Sequence, residues 1–174
     1  DSRAALLISS ATRRMPMASH CSGRIQTQSQ FIFFSNSMSK RIVFITGATS
    51  GIGEATARLL AKNNFDLILC GRRKDRLERL QKELAEYTEV TALSFDIRNQ
   101  QDVKKSIASL PERWKAIDVL INNAGNAHGL DPIQSGKIED WDAMMDINVK
   151  GLLYVSREII PGMTERQRGH IINL

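Results

Sequence analysis

The 174-residue sequence has little of several features that would indicate other classes of protein. Its two cysteines, Cys21 and Cys70, are too few for a disulfide framework and favour a reducing compartment. No stretch reaches the ~20 apolar residues that a membrane-spanning helix needs, so we expect a soluble chain without a membrane partner. The three histidines have no further ligands at metal-binding spacing, and we therefore predict no metal site.

The part of the chain that we expect to fold has almost no net positive charge. The net charge is +5, but the first 40 residues contain five basic side chains and one acid, which leaves +1 for the rest. Aromatic residues make up 6% of the sequence and do not alternate with basic ones. A nucleic-acid partner is therefore not expected, because such surfaces combine basic grooves with aromatic platforms.

Residues 1–37 are rich in serine, contain arginine and show no helical or strand periodicity. This composition is typical of a transit peptide. We favour a different interpretation, in-frame translated sequence upstream of a start at Met38, because the chain begins with Asp1 and Met38 directly precedes the first predicted strand. The predicted organisation is thus a disordered leader over 1–37 and one domain over 38–174, incomplete at its C-terminus.

From residue 41 onward, short apolar runs alternate with amphipathic segments of helical period. This alternation predicts an α/β fold, a Rossmann-type doubly wound parallel sheet with helices on both faces and its last strands missing. We expect Asp102 to cap the third helix and the Pro161-Gly162 pair to end the fourth. The predicted strands are 41–45, 65–70, 90–95, 117–121 and one from 170, and the helices are 52–63, 75–86, one from 102 and about 140–160.

A glycine-rich turn over 46–53 joins the first predicted strand to the first predicted helix. In this context glycine allows a tight turn and a close ligand approach, while free N–H groups at the helix start attract a phosphate. The alternative is an ordinary strand-to-helix turn. The candidate pyrophosphate-binding residues are Thr46, Gly47, Thr49, Ser50, Gly51, Ile52 and Gly53.

A second motif, Asn-Asn-Ala-Gly at 122–125, directly follows the predicted strand 117–121. Ligands of doubly wound sheets bind beyond the carboxyl ends of the strands, so we expect both motifs to line one crevice. This adds Asn123, Ala124 and Gly125 to the candidate cofactor-binding residues.

Two arginines, Arg72 and Arg73, follow the second predicted strand, and no acidic residue precedes Asp75 there. Dinucleotide sites that select NAD usually place a carboxylate at this position, whereas arginine accommodates the 2′-phosphate of NADP. The alternative is a pair of surface arginines at the start of a helix, although basic charge is unfavourable at that end. We therefore predict that NADP is the cofactor.

Together these motifs resemble the short-chain dehydrogenase/reductase family over residues 40–174, and more narrowly its NADP-dependent branch that oxidises 3-hydroxy acids such as serine or allo-threonine. The resemblance implies that Asp96, with Ile97 beside it, lies near the adenine ring. It also implies that Asn148 is a catalytic residue whose carbonyl holds a water molecule connecting the catalytic lysine to solvent. The alternative for Asn148 is an ordinary helix residue.

The chain departs from the family pattern at the catalytic serine and the Tyr-x-x-x-Lys pair, which would lie beyond Leu174. Neither Tyr87 nor Tyr154 has a lysine four residues later. We expect a fragment of an NADP-dependent oxidoreductase that transfers hydride to or from a small hydroxy acid or secondary alcohol. The alternatives are a non-catalytic NADP(H)-binding module and a truncated product without function. A soluble chain in a reducing compartment is expected to be cytoplasmic, and the resemblance implies a homotetramer for a full-length relative.

Overall fold

A computed structural model describes residues 40–129 and 131–174, and the predicted leader over 1–37 lies outside the described residues. Within them, strands and helices alternate along the chain as predicted. The strands are β1 (Ile42–Thr46), β2 (Asp66–Gly71), β3 (Val90–Ser94), β4 (Ile117–Asn122) and β5 (His170–Asn173). The helices are α1 (Gly51–Ala61), α2 (Lys74–Leu84), α3 (Gln100–Ala108), α4 (Ile138–Met145) and α5 (Leu152–Glu165), with a 3-10 turn at Glu112–Trp114 and a π-helical segment at Asp146–Gly151.

The five strands form one parallel sheet in the order β3-β2-β1-β4-β5. Every residue of β1 and β2 is buried, which explains why these strands are mostly apolar in sequence. The strand order reverses between β1 and β4, and such a reversal opens a crevice at the carboxyl ends of the strands. The predicted doubly wound fold is therefore confirmed.

Helices cover both faces of the sheet, and alternate residues of each strand point to opposite sides. Phe44 packs in the core formed with α3 and α5, whereas Ile45 packs in the core formed with α1 and α2. The apolar sides of the helices thus face the sheet, and no helix in the described part of the chain is long and apolar enough to cross a membrane.

The expectation that Asp102 caps the third helix is wrong. Asn99 is the N-cap of α3, and its Oδ1 accepts hydrogen bonds from the backbone N–H groups of Gln101 (3.0 Å) and Asp102 (3.3 Å). Asparagine and aspartate cap about equally well, so capping preference alone does not distinguish Asn99 from Asp102 in the sequence. Asp102 lies instead in the first turn, where its charge interacts favourably with the helix dipole.

The expected end of the fourth helix at Pro161-Gly162 is also wrong, because α5 continues to Glu165 with Pro161 inside it. Proline removes one helical hydrogen bond, but Ile159 and Met163 on either side of it are buried in the core. Burial of these side chains outweighs the loss. The helix expected over about 140–160 is continuous from α4 through the π-helical segment into α5, because the junction residues all have helical backbone.

Candidate functional site

A cavity of about 280 Å³ lies at the carboxyl ends of β1, β2, β3 and β4, where the strand order reverses. Both predicted motifs and the predicted arginine pair contribute to its wall. The predicted residues that line it are Gly47, Thr49, Ser50, Ile52, Arg72, Arg73, Asp96, Ile97, Asn123, Ala124 and Gly125.

Four residues that were not predicted from the sequence also line the cavity. Cys70 and Gly71 end β2, and Phe95 directly follows β3, so their positions at strand ends were a usable signal. Ile147 reaches the cavity from the π-helical segment, which no pattern in the sequence indicated. The predicted residues Thr46, Gly51, Gly53 and Asn148 lie outside the lining, and all four belong to the elements that shape it.

The glycine turn has the backbone conformation that its sequence suggested. Gly47 and Gly51 have φ of 67° and 58°, in the left-handed region that side chains disfavour. A Cβ on Gly47 would lie 2.8 Å from the Cα of Ala124, so the turn and the Asn-Asn-Ala-Gly segment are packed backbone to backbone. A Cβ on Gly51 would meet nothing within 4 Å, and the backbone there is accessible.

The turn leads directly into α1, whose N-cap Ser50 makes no side-chain capping hydrogen bond. The first N–H groups of a helix have no partner within it, and here they adjoin the cavity. Helix dipoles favour negative charge at this end. The beginning of α1 can therefore bind an anionic group.

Thr46 connects the two motifs from beneath the cavity. Its side chain is buried, and Oγ1 accepts hydrogen bonds from the backbone N–H groups of Asn123 and Ala124, both at 3.0 Å. The Asn123 side-chain amide donates in return to the carbonyls of Thr46 (2.9 Å) and Gly47 (3.1 Å). The ends of β1 and β4 are thus held together by reciprocal hydrogen bonds, which fix the shape of the cavity wall.

The arginine pair stands beside the glycine turn at the end of β2. The Arg73 Nη2 atom donates to Ser50 Oγ at 2.9 Å and to Thr49 Oγ1 at 3.4 Å, which ties the start of α2 to the turn. The Arg72 side chain is 57% exposed, and its Nη1 lies 3.8 Å from Asp96 Oδ2. Two guanidinium groups therefore border the cavity. Arg73 is held by the glycine turn, whereas among the described residues the exposed Arg72 side chain makes no hydrogen bond shorter than its 3.8 Å contact with Asp96.

The charged groups of the lining are Arg72, Arg73 and Asp96. Hydrogen bonds from the Arg98 side chain hold the pKa of Asp96 below its usual range, so this carboxyl is ionised. Burial raises the pKa of Cys70, which also lies near the Asp96 charge, and its thiol stays protonated. The lining thus carries a net positive charge that favours a phosphate-bearing ligand.

Asn148 lies in the π-helical segment and holds a different part of the site. Its Oδ1 accepts from the backbone N–H of Asn126 at 2.9 Å, and its Nδ2 donates to the Asn126 carbonyl at 2.8 Å. A Cβ on Gly125 would lie 2.9 Å from Asn148 Oδ1, so glycine is needed for this approach. The side chain fixes the backbone just after the Asn-Asn-Ala-Gly motif, and the catalytic role of Asn148 stays a prediction.

A family model described as short chain dehydrogenase matches residues 41–174, which include all the elements described above. The chain belongs to the short-chain dehydrogenase family. The match includes every residue of the cavity lining.

Among short-chain dehydrogenases, the chain is 49% identical over 133 residues to the NADP-dependent 3-hydroxy acid dehydrogenase YdfG of Salmonella typhi, covering 76% of this chain and 53% of that protein. It is 42% identical over 132 residues to the serine 3-dehydrogenase of Rhizobium radiobacter, with 76% and 52% covered. The chain spans about half the length of the curated relatives it matches. Its fold is similar to the closed form of serine dehydrogenase complexed with NADP+, at a TM-score of 0.71 and 45% identity, covering 76% of this chain and 52% of that one.

Proposed function

We propose that this chain forms the cofactor-binding part of an NADP-dependent dehydrogenase that transfers hydride between the nicotinamide and a small hydroxy acid or secondary alcohol. The observation that carries the proposal is the pair Arg72 and Arg73 at the end of β2, beside a glycine turn that opens a helix. Relatives at 49% and 42% identity are named as a 3-hydroxy acid dehydrogenase and a serine 3-dehydrogenase, which supports the substrate class.

The residues present fit a dinucleotide phosphate. Gly51 leaves its backbone accessible, and the N–H groups at the start of α1 offer donors to a pyrophosphate. Arg72 stands where dinucleotide folds hold the adenosine ribose, and its guanidinium can form paired charge-assisted hydrogen bonds with a 2′-phosphate. Asp96 and Ile97 border the same cavity and are proposed to contact the adenine ring.

NADP supplies the hydride acceptor or donor when it is bound. The residues of this chain are proposed to bind and orient the cofactor, with Asn148 at the catalytic end. By holding both backbone polar groups of Asn126, Asn148 keeps the segment after β4 in one conformation. A cytoplasmic location and a homotetrameric full-length protein belong to the same proposal.

Replacing Arg72 with aspartate tests the cofactor assignment. The substitution removes a guanidinium and places a carboxylate beside the proposed 2′-phosphate, so we expect the dissociation constant for NADPH to rise roughly 10- to 100-fold. Binding of NADH should be unchanged or tighter, because a carboxylate can accept hydrogen bonds from the ribose hydroxyls. Titration of nicotinamide fluorescence on the purified chain measures both constants.

Arg157→Asp is the matched control for this experiment. Arg157 is exposed on α5 and lies outside the cavity lining, so the same change of charge should leave both dissociation constants unaltered. Equal NADPH affinity in the Arg72→Asp variant and the parent chain would refute the assignment of Arg72 to the 2′-phosphate.

Sequencing the source transcript beyond the codon for Leu174 tests the enzymatic part of the proposal. The reading frame should continue into a serine and a Tyr-x-x-x-Lys pair, because reduction of a carbonyl needs a proton donor at the developing oxyanion. The encoded protein should then oxidise serine or allo-threonine with NADP, followed by NADPH absorbance. A frame that continues without these residues would contradict a dehydrogenase.

A further inference from the structure

Asp96 lies between two arginines that approach it from different sides. Arg72 approaches from the nucleotide cavity, whereas Arg98 lines a separate, open depression that it shares with Asp96, Asp146 and Tyr154. Asp96 is therefore the residue at which the two concave surfaces meet.

Arg98 occupies both oxygens of the Asp96 carboxylate. Its Nε lies 3.1 Å from each oxygen, its Nη2 lies 2.7 Å from Oδ2, and its backbone N–H donates to Oδ1 at 3.0 Å. Arg72 is 3.8 Å from Oδ2, beyond hydrogen-bonding distance. Arg98 thus hydrogen-bonds both oxygens of the carboxylate, whereas Arg72 interacts with it only electrostatically.

Removal of Arg98 would leave an ionised, 27% exposed carboxylate without its principal partner. Among the described residues, Arg72 is the other cation within 4 Å of it, and its exposed side chain can close a 3.8 Å gap by changing rotamer. A guanidinium that is hydrogen-bonded to a carboxylate has fewer free donors for a phosphate. Asp96 would then compete with the 2′-phosphate for Arg72.

We propose that Arg98 is a positioning residue for cofactor specificity, which engages Asp96 from outside the cavity and so leaves Arg72 available to the 2′-phosphate of NADP. This inference rests on the proposed function, and it gives Arg98 a role in NADP selectivity although Arg98 does not line the nucleotide cavity. The alternative role is local, since a pair two residues apart can simply stabilise the turn that leads from β3 to α3.

Arg98→Gln separates these roles when NADPH and NADH are titrated on the same preparation of the 174-residue chain. We expect the dissociation constant for NADPH to rise roughly threefold to tenfold and that for NADH to change by less than about twofold, as is typical of losing one partly exposed ion pair. The ratio of the two constants is the decisive quantity, because an unfolded fraction would affect both cofactors equally. Arg157→Gln is the control with the same change of charge on an exposed helix position.

Asp96→Asn provides the second half of the experiment. It removes the charge that would attract Arg72, so adding Arg98→Gln to the Asp96→Asn variant should leave the NADPH-to-NADH ratio unchanged. Any loss of adenine contact in Asp96→Asn is shared by both cofactors and cancels in the ratio.

Three outcomes would overturn the proposal. If Arg98→Gln weakens NADPH and NADH equally, Arg98 has only the local structural role. If its effect on the ratio persists in the Asp96→Asn background, Arg98 acts on the phosphate without Asp96. If the parent chain binds neither dinucleotide, the proposed function fails together with this inference. In the first two outcomes the parent chain still prefers NADPH, and the proposed function is unaffected.

Discussion

Gly53→Ala is expected to abolish NADPH binding and to lower the free energy of unfolding by roughly 2–4 kcal/mol, as overpacking at a rigid site does. A Cβ on Gly53 would lie 2.5 Å from the carbonyl oxygen of Gly47 and would clash with the side-chain amide of Asn123. Neither neighbour can move freely, because the same amide donates to the carbonyls of Thr46 and Gly47. Relief of the clash would separate the glycine turn from the Asn-Asn-Ala-Gly segment.

Gly162→Ala is the matched control, since both glycines lie inside helices. A Cβ on Gly162 would meet only the Arg166 Nη1 atom, at 3.1 Å, which is the end of a flexible side chain. Helix propensity favours alanine over glycine by about 0.5–1 kcal/mol, so this variant should be neutral or slightly more stable. Urea denaturation measures both variants, and destabilisation of the two by equal amounts would show that the clash at Gly53 is not the cause.

The sequence was sufficient for the features that depend on local patterns. The first two strands are mostly apolar because both faces of the sheet are covered, and such segments are recognisable without any tertiary information. The glycine turn was equally recognisable, because Gly47 and Gly51 occupy backbone conformations that few other residues adopt. The apolar strands and the glycine turn, together with the parallel arrangement of the strands, were enough to predict most of the residues that line the cavity.

The remaining features depend on contacts that sequence spacing does not reveal. Asn148 contacts Asn126, 22 residues away, from the π-helical segment, and no spacing in the sequence indicates this pairing. Pro161 ends many helices, and it is tolerated here because the residues around it are anchored in the core. Arg98 and Asp96 are only two residues apart, so their hydrogen bond could be expected from the sequence. The approach of Arg72 to the same carboxylate depends on the fold, and a link to cofactor specificity could therefore not be inferred from the sequence.

The start of β4 has an irregularity that explains the buried side chain of Asp118. Ile42 pairs with Ile117 and Val43 pairs with Val119, so Asp118 is an extra residue in the ladder between β1 and β4. Its buried carboxylate completes the hydrogen bonding at this point. Oδ2 accepts from the backbone N–H of Ile42 at 2.9 Å, and Oδ1 accepts from Arg168, which precedes β5.

Asp118→Ala should therefore lower the free energy of unfolding by roughly 3 kcal/mol, since it leaves the buried N–H of Ile42 without a partner and releases Arg168. Arg168→Ala should cost less, about 1–2 kcal/mol, because water can replace a guanidinium whose side chain is 68% exposed and Asp118 would keep its bond to Ile42. Asp142→Ala, at an exposed position of α4, is the control and should shift stability by less than about 0.5 kcal/mol.

Urea denaturation of the three variants and of the Asp118→Ala/Arg168→Ala double variant measures this asymmetry. The double variant should be about as unstable as Asp118→Ala alone, because the cost lies mainly in the unpartnered backbone group at the bulge. Equal losses for the two single variants would contradict this account and would place the stabilisation in the ion pair. In that case the start of β5, and not the register between β1 and β4, would be the element that Asp118 secures.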